Sequence, residues 1–355
     1  MNENQEIQIS IVSACRNEVF HITSFLQSIE QQDLDGFTWE VIIADGLSTD
    51  GTRELLDQYS AAHPNVIVIP NPGRIVSTGL NKAIRAARGE IVLRLDAHTH
   101  YAPDYVRRCV ETLRHTGADN VGGPARTRAT CPVQQAIAAA YHSRFSTGGA
   151  RFHNPGYEGW VDTVTYGCWR KETLERLGLF DENLVRNQDD ELNLRLVRAG
   201  GKIWQNPEII SWYSPRSTVF GLFQQYFQYG YWKVVVIRKH RLPGSWRHVV
   251  PAAFVGTNLL LPFLTALFFA IGATVNFDRL EMSWLALTVC YAAANLMASI
   301  LAARRSGWTT LLWLPPIFAA YHFSYGFGFL MGLFHSVAKP QETYSQESVL
   351  VRITR

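Results

Sequence analysis

The chain has 355 residues, 47% of them apolar and 18% charged, and a formal net charge of +3. Single hydrophobic cores stop growing near about 250 to 300 residues, so this length implies a large domain with an appendage. So small a charge, with no basic stripe interleaved with aromatics in the first half, excludes nucleic acid as the partner. Five cysteines (Cys15, Cys109, Cys131, Cys168 and Cys290) are odd in number, scattered and never paired as C-x-x-C, which reads as reduced bystanders.

Residues 1–6 are polar and the first apolar run, 7–14, is only strand length, so no signal peptide is expected and the first domain is expected in the cytosol. Strand and helix patterns then alternate: strand 7–14, helix 19–31, strand 39–44, helix 50–60, strand 66–70, helix 76–88 closed by Gly89, strand 90–96. This order predicts an α/β domain with a mainly parallel, doubly wound, Rossmann-like sheet and right-handed crossovers. In such sheets ligands bind beyond the carboxyl ends of the strands. The polar clusters fall there: Arg16, Asn17 and Glu18, then 45–50, then 71–74, then 96–98.

After Asn120 the alternation loosens, and 122–132 and 146–158 read as loops able to face an acceptor. A helix returns at 189–199, ended by Gly200 and Gly201. Residues 218–240 mix Phe, Tyr and Trp with Gln before a basic cluster, which predicts a helix in a membrane's headgroup zone. Mean hydropathy is near zero, yet 249–275, 282–303 and 308–334 each supply the roughly 20 apolar residues that cross a bilayer. The expected domains are therefore 1–215 catalytic, 216–248 interfacial, 249–335 transmembrane and 336–355 a tail. Lys233, Arg238, Lys239, Arg241 and Arg247 before the first span, and Arg304 and Arg305 between the second and third, place those regions on the cytoplasmic side. The same arithmetic puts the tail outside, against its own Lys339, Arg352 and Arg355.

Two short stretches carry the chemistry of the first half: ADGLSTDGT (44–52) and RLDAH (94–98), each at a strand end. Asp96 and His98 at i and i+2 can face one ligand, and carboxylate and imidazole both suit a Mn²⁺ or Mg²⁺ ion holding a diphosphate. Alone, such a triplet also suits a capping Asp and a surface His. In NQDDELNLRL (187–196), Asp189 near a helix N-terminus is the candidate general base, kept ionised by the helix dipole; capping by Asp189 and Asp190 is the plain alternative. Trp160, Tyr166, Trp169 and Trp204 are candidates for stacking on the face of a ligand, or are core. No G-x-G-x-x-G follows the first strand and there is no G-x-S-x-G elbow, which disfavours nicotinamide and hydrolase chemistries.

SACRNE (13–18), ADGLSTDGT, LDAH and QDDEL together resemble family 2 glycosyltransferases of the GT-A fold, over roughly residues 7–240. Within that family the likeness is greatest to succinoglycan-type exopolysaccharide glucosyltransferases, which share the DAH triplet, an NQDDELN-like segment and the PRST stretch at 215–218. The resemblance implies a UDP-sugar donor, inversion at the anomeric carbon, a polyprenyl-diphosphate-linked glycan as acceptor, and a multi-pass plasma-membrane protein working beside other polysaccharide-assembly proteins. Carried over by position, Glu18, Asp45, Arg74, Asn81 and Asp96 would hold the nucleotide sugar, Asp96 and His98 the metal, and Asp189 would be the base. Asp190, Arg216, Gln225 and Trp169 would lie toward the acceptor or diphosphate. DxH replaces the usual DxD, and QYFQYGYW (225–232) replaces the Q-x-x-R-W of processive synthases, which favours adding one sugar. A polyprenyl-phosphate hexosyltransferase and a non-catalytic membrane scaffold are the alternatives.

Overall fold

The computed structural model describes residues 6–241, 245–271 and 277–338. Its described residues form two compact units. One comprises residues up to 128 together with 151–214, the other 129–150 together with the chain from 215 onward.

The first unit opens with β1 (Ile9–Cys15), α1 (Val19–Glu30), β2 (Trp39–Asp45), α2 (Thr52–Ala62), β3 (Val66–Pro70), α3 (Val76–Ala86) and β4 (Ile91–Arg94). Each lies within two or three residues of its predicted position. Then follow β5 (Thr99–Tyr101), α4 (Tyr105–Thr116), β6 (Asn120–Gly122) and β7 (Arg126–Thr127). The chain leaves for the second unit's α5 (Pro132–Tyr141) and α6 (Arg144–Thr147). It resumes with β8 (Gly159–Val161), β9 (Cys168–Arg170), α7 (Lys171–Leu177), α8 (Gln188–Arg198), β10 (Ile203–Gln205) and β11 (Ser211–Tyr213).

The main sheet runs β3-β2-β1-β4-β9-β6-β10-β8, and a small sheet runs β5-β11-β7. Strands β3, β2, β1 and β4 are mutually parallel, as their βα alternation requires. Beyond β4 the sheet is mixed: β9 lies antiparallel between β4 and β6, and β8 is antiparallel to β10 at the edge. The loosened alternation after Asn120 marks this change.

Side chains alternate across β1 and β2, so each face builds its own core. Ile9, Ile11, Val41 and Ile43 pack with Ile22, Phe25 and Ile29 of α1 and Val106 and Val110 of α4. Val12, Ile42 and Ala44 pack with Leu80, Ala83 and Ile84 of α3 and Leu192 and Leu196 of α8. Covered on both faces, the central strands are apolar almost throughout, and their polar ends are left to face a ligand.

The second unit adds α9 (Val219–His240), α10 (Val250–Ala270), α11 (Phe277–Ser306) and α12 (Leu314–Ala338). Three segments are long and apolar enough to cross a membrane: Trp246–Ala270, Asp278–Ser306 and Leu314–Ala338. Leu259, Phe263, Leu285 and Val289 are exposed, as lipid-facing side chains would be. The end of the first predicted span, 272–275, lies outside the described residues. So does the tail from 339 onward, with Lys339, Arg352 and Arg355.

Residues 129–150 group with these helices instead of with the catalytic domain. Ala136, Ile137 and Ala140 of α5 are buried against Leu314, Ile317, Phe318 and Tyr321 of α12. The His322 imidazole links the elements, with Nδ1 3.0 Å from the Tyr291 hydroxyl and Nε2 2.9 Å from the Phe145 carbonyl oxygen. A carbonyl oxygen can only accept, so Nε2 carries the proton and the tyrosine donates to Nδ1.

Helix α9, expected in the headgroup zone, packs along α12, and Leu222, Tyr231, Trp232 and Val234 are buried. Glycine permits the approach: a Cβ on Gly328 would stand 1.9 Å from the Phe227 carbonyl oxygen, and one on Gly230 2.1 Å from that of Tyr325. Gly328→Ala should therefore destabilise the detergent-solubilised protein by about 1 to 3 kcal/mol. Gly256→Ala, whose Cβ would meet nothing closer than 3.8 Å, should be neutral within about 0.5 kcal/mol. Thermal unfolding of the two variants side by side checks this, and equal melting points would contradict it.

Candidate active site

Every helix of the parallel half starts just after a strand, so the β1–α1 and β2–α2 turns lie side by side. They are laced together by hydrogen bonds. The Asn17 N–H donates to Ser48 Oγ at 2.9 Å, the Thr49 N–H to Asn17 Oδ1 at 3.0 Å, the Glu18 N–H to Thr52 Oγ1 at 2.8 Å and the Val19 N–H to Asp50 Oδ2 at 3.1 Å. Asp45, buried at the end of β2, accepts the Ser48 hydroxyl at 2.6 Å. Burial pushes the Cys15 thiol up to about 12, and the charges of Asp45, Glu18 and Asp50 push the same way. That thiol is inert, in keeping with five free cysteines.

Cations face these acids. Arg16 follows β1, its Nε buried with no hydrogen-bond partner. Burial and then the Arg74 charge hold its pKa below the ordinary value. Arg74 adopts a left-handed backbone (φ 58°), with its N–H bonded to the Asn71 carbonyl at 3.0 Å.

Past β4 the chain makes a tight turn in which the Thr99 N–H meets the Asp96 carbonyl at 3.1 Å, and Tyr101 Oη accepts the Asp96 N–H at 2.7 Å. The Arg94 side chain is 5% exposed. It grips Asp96 with two parallel bonds, Nε to Oδ1 at 2.7 Å and Nη2 to Oδ2 at 2.8 Å, and bonds Asp189 Oδ1 through Nη1. Its guanidinium lies 5.9 Å from the Tyr166 ring centre. Two residues on, His98 Nδ1 is 3.8 Å from Glu18 Oε1. Burial opposes charge on this imidazole, but the Glu18 and Asp96 carboxylates outweigh it and raise its pKa.

Asp189 lies in the first turn of α8, which the left-handed Asn187 (φ 59°) introduces. Its side chain is 40% exposed, so one carboxylate edge remains open to a substrate. Burial raises its pKa to about 6; Arg94 opposes the rise while Asp96 and Asp190 add to it. The helix is anchored beneath by buried Glu191, whose carboxylate holds Arg195 at 2.8 Å.

Among the described residues no three His, Cys, Asp or Glu side chains converge as a ready metal cage. Asp96 and His98 offer two ligands of suitable chemistry. That suits an ion completed by substrate phosphates and water, the usual arrangement for Mg²⁺ with nucleotides.

Residues 10–177 match the Glycosyl transferase family 2 model. The succinoglycan biosynthesis protein ExoA of Rhizobium meliloti is 35% identical over 245 residues, which span 68% of this chain and 74% of that one. The chain belongs to the family 2 glycosyltransferases. A dolichyl N-acetyl-α-D-glucosaminyl phosphate 3-β-D-2,3-diacetamido-2,3-dideoxy-β-D-glucuronosyltransferase of Methanococcus voltae is 27% identical over 280 residues, 77% of this chain and 87% of that one. Among solved structures, the mannosyltransferase PcManGT of Pyrobaculum calidifontis, in complex with GDP-Man and Mn²⁺, superposes with a TM-score of 0.59 at 20% identity, covering 93% of this chain and 88% of that one. The fold of this glycosyltransferase is of the GT-A type.

The structure brings Glu18, Asp96, His98 and Asp189 to one crevice at the strand ends, with Asp45, Arg74 and Asp190 on the adjoining turns. It corrects two expectations. Trp169 of β9 is buried against Phe180 and cannot present a face to a sugar. Asn81 is buried, its amide donating to the Phe180 carbonyl and Glu182 Oε1 at 2.8 Å and accepting the Phe180 N–H at 2.9 Å, so it ties down the 180–182 loop. Arg216 and Gln225 belong to the second unit, where Gln225 donates to the Tyr229 hydroxyl at 3.0 Å. Arg94 and Tyr101 were given no role from the sequence, and Arg16 was named there only as part of the polar cluster after the first strand. A charged residue in the apolar strand IVLR, two positions before Asp96, was the available signal for Arg94. Asn81→Ala should lower stability by about 1 to 3 kcal/mol while leaving nucleotide affinity unchanged; calorimetric titration with UDP beside thermal unfolding separates the two.

Proposed function

We propose that this glycosyltransferase moves one hexose, glucose, from a UDP-sugar to a polyprenyl-diphosphate-linked saccharide in exopolysaccharide or glycolipid synthesis. The reaction inverts the anomeric centre, and the catalytic unit works at the cytoplasmic face of the plasma membrane. The observation that carries this reading is the pair of carboxylates joined by Arg94: Asp96 beside His98, and Asp189 with one edge open. The names of the relatives support it, one a succinoglycan biosynthesis protein and the other a transferase acting on a dolichyl-linked sugar phosphate.

In this reading Glu18, Asp45, Arg16 and Arg74 hold the nucleotide over the ends of β1 to β3. Asp96 and His98 would hold a Mn²⁺ or Mg²⁺ ion. When bound, such an ion supplies Lewis-acid neutralisation of the departing nucleoside diphosphate. Asp189 takes the proton of the acceptor hydroxyl as that oxygen attacks the anomeric carbon from the side opposite the leaving group, and later loses it to water. A carboxylate raised to about 6 is a better base than an ordinary aspartate, yet still ionised at neutral pH.

Three outcomes follow. Nucleoside-diphosphate release, measured on a panel of UDP- and GDP-sugars with membrane lipid extract as acceptor source, should require Mn²⁺ or Mg²⁺, occur with UDP-glucose and vanish in Asp96→Ala. Release from no donor would move the protein to a scaffold. Asp189→Asn should lose about 10²- to 10⁴-fold in kcat with donor affinity kept; a variant keeping most of its rate would instead favour a lipid phosphate, which needs no strong base, as the acceptor. Because the base works only when deprotonated, kcat/KM should fall as pH drops through about 6, and the Asp189→Asn residual rate should lack that limb.

A further inference from the structure

We infer that Arg94 is a positioning residue that sets the distance between the donor-holding Asp96 and the base Asp189. The inference rests on the roles assigned above to those two carboxylates, and gives Arg94, the first residue of the RLDAH stretch, a role that the motif reading did not assign. It stands on geometry. One guanidinium spends Nε and Nη2 on Asp96, at 2.7 and 2.8 Å, and Nη1 on Asp189. Arg94 and Asp189 are 95 residues apart in the chain, so without this link only packing would fix the separation of the two carboxylates.

The fork also leaves each acid free to act. A carboxylate oxygen has two lone-pair positions, so Asp96 keeps one on each oxygen for other ligands. Asp189 is held by Oδ1 only, and Oδ2 has no bond to the fork. The surroundings of the guanidinium are themselves braced: its ring neighbour Tyr166 is fixed by a 2.5 Å hydrogen bond to Thr99, and the Arg94 backbone N–H donates to the Gly167 carbonyl at 3.1 Å. Lysine keeps the charge but cannot reproduce three bonds in one plane.

Rates of sugar transfer are to be compared for wild type, Arg94→Lys, Asp189→Asn and the double variant, with melting points taken alongside. The expected result is a loss of about 100-fold or more in kcat for Arg94→Lys, with donor KM changed less than about threefold. In the Asp189→Asn background the same change should cost less than about threefold, because residues acting as one unit are not additive. A kcat within threefold of wild type in Arg94→Lys would overturn the inference. So would full additivity with Asp189→Asn, or a rise in KM matching the fall in kcat, since these mark a merely structural role. Should Arg94→Lys fail to fold, Asp189→Glu decides. Its carboxylate has the right chemistry one methylene out of register, and a rate within threefold of wild type would equally overturn it. A wild type active with another donor but not UDP-glucose overturns only the donor assignment, and the comparison is then read with that donor. A wild type inactive with every sugar nucleotide overturns both.

Discussion

A cation buried at the end of a strand must be matched by anions, because an unpaired guanidinium in an apolar surround costs far more than a fold of this size can absorb. Arg94 is that cation, and it is satisfied by Asp96 on its own strand end and Asp189 on α8. The requirement reaches outward. For Asp189 to arrive, α8 must begin over β4, which the buried Leu192 and Leu196 secure against Val12 and Val92 on that face of the sheet. For α8 to stay there, Arg195 must close the gap to the loop after α7, where it donates to the Leu179 carbonyl at 2.5 Å and to Glu191. Two ion pairs thus lie along one helix: the upper carboxylate is partly exposed and the lower one is fully buried. The lower pair does no chemistry, and its burial makes it costly to disturb, so the upper carboxylate inherits a fixed base.

What the sequence disclosed follows from which forces act locally. The first seven elements were legible because a parallel βαβ half writes itself as apolar strands, helical periodicity and polar strand ends, with each signal inside about 15 residues. Asp96, His98, Glu18 and Asp189 were legible for the same reason, since each lies at a place where a strand or helix begins or stops. Asn81 was misjudged because its meaning is set by the carbonyl of Phe180, 99 residues away, and Trp169 because its burial against the ring of Phe180 depends on how the chain folds back after α7. Arg94 escaped attention because a lone basic residue beside a motif looks like spacing. Only the arrival of Asp189 from α8 makes it a bridge. Antiparallel insertion of β9 had no local signature either, since a three-residue strand carries too few side chains for any period to show.

The second unit follows other rules. Between lipid-compatible helices the hydrophobic effect distinguishes poorly, so close backbone approach and polar cross-links take over. Gly328 and Gly230 allow α9 and α12 to touch backbone to backbone. Asn295 donates to the Pro315 carbonyl at 3.0 Å, closing the α11–α12 turn, and His322 ties α11, α12 and the residues of α6 together. The glycine contacts hold α9 against α12, a packing that the composition-based reading of the spans did not include. The mixture of Gln, Tyr and Trp in α9 suits a headgroup zone and a helix–helix seam equally, and only the glycines on the facing helix tell them apart.

Residues 129–150 make the chain's division between its units threefold: it passes from one to the other after 128, returns after 150 and leaves again after 214. Helices of ten and four residues are too short to be stable alone. The buried Ala136, Ile137 and Ala140 share a core with residues more than 80 positions later, among them Leu222, Leu314 and Phe318. Those partners are complete only when the last helix has been made, so the segment between β7 and β8 cannot reach its final packing while the chain is still short. The first unit's sheet has the same dependence on late arrivals, since β10 pairs with both β6 and β8 and β11 joins β5 to β7. A sheet order that interleaves early and late strands, and an excursion whose core closes last, make this glycosyltransferase a fold of long-range contacts, in which loop-closure entropy must be overcome before the site-bearing helix α8 finds Arg94.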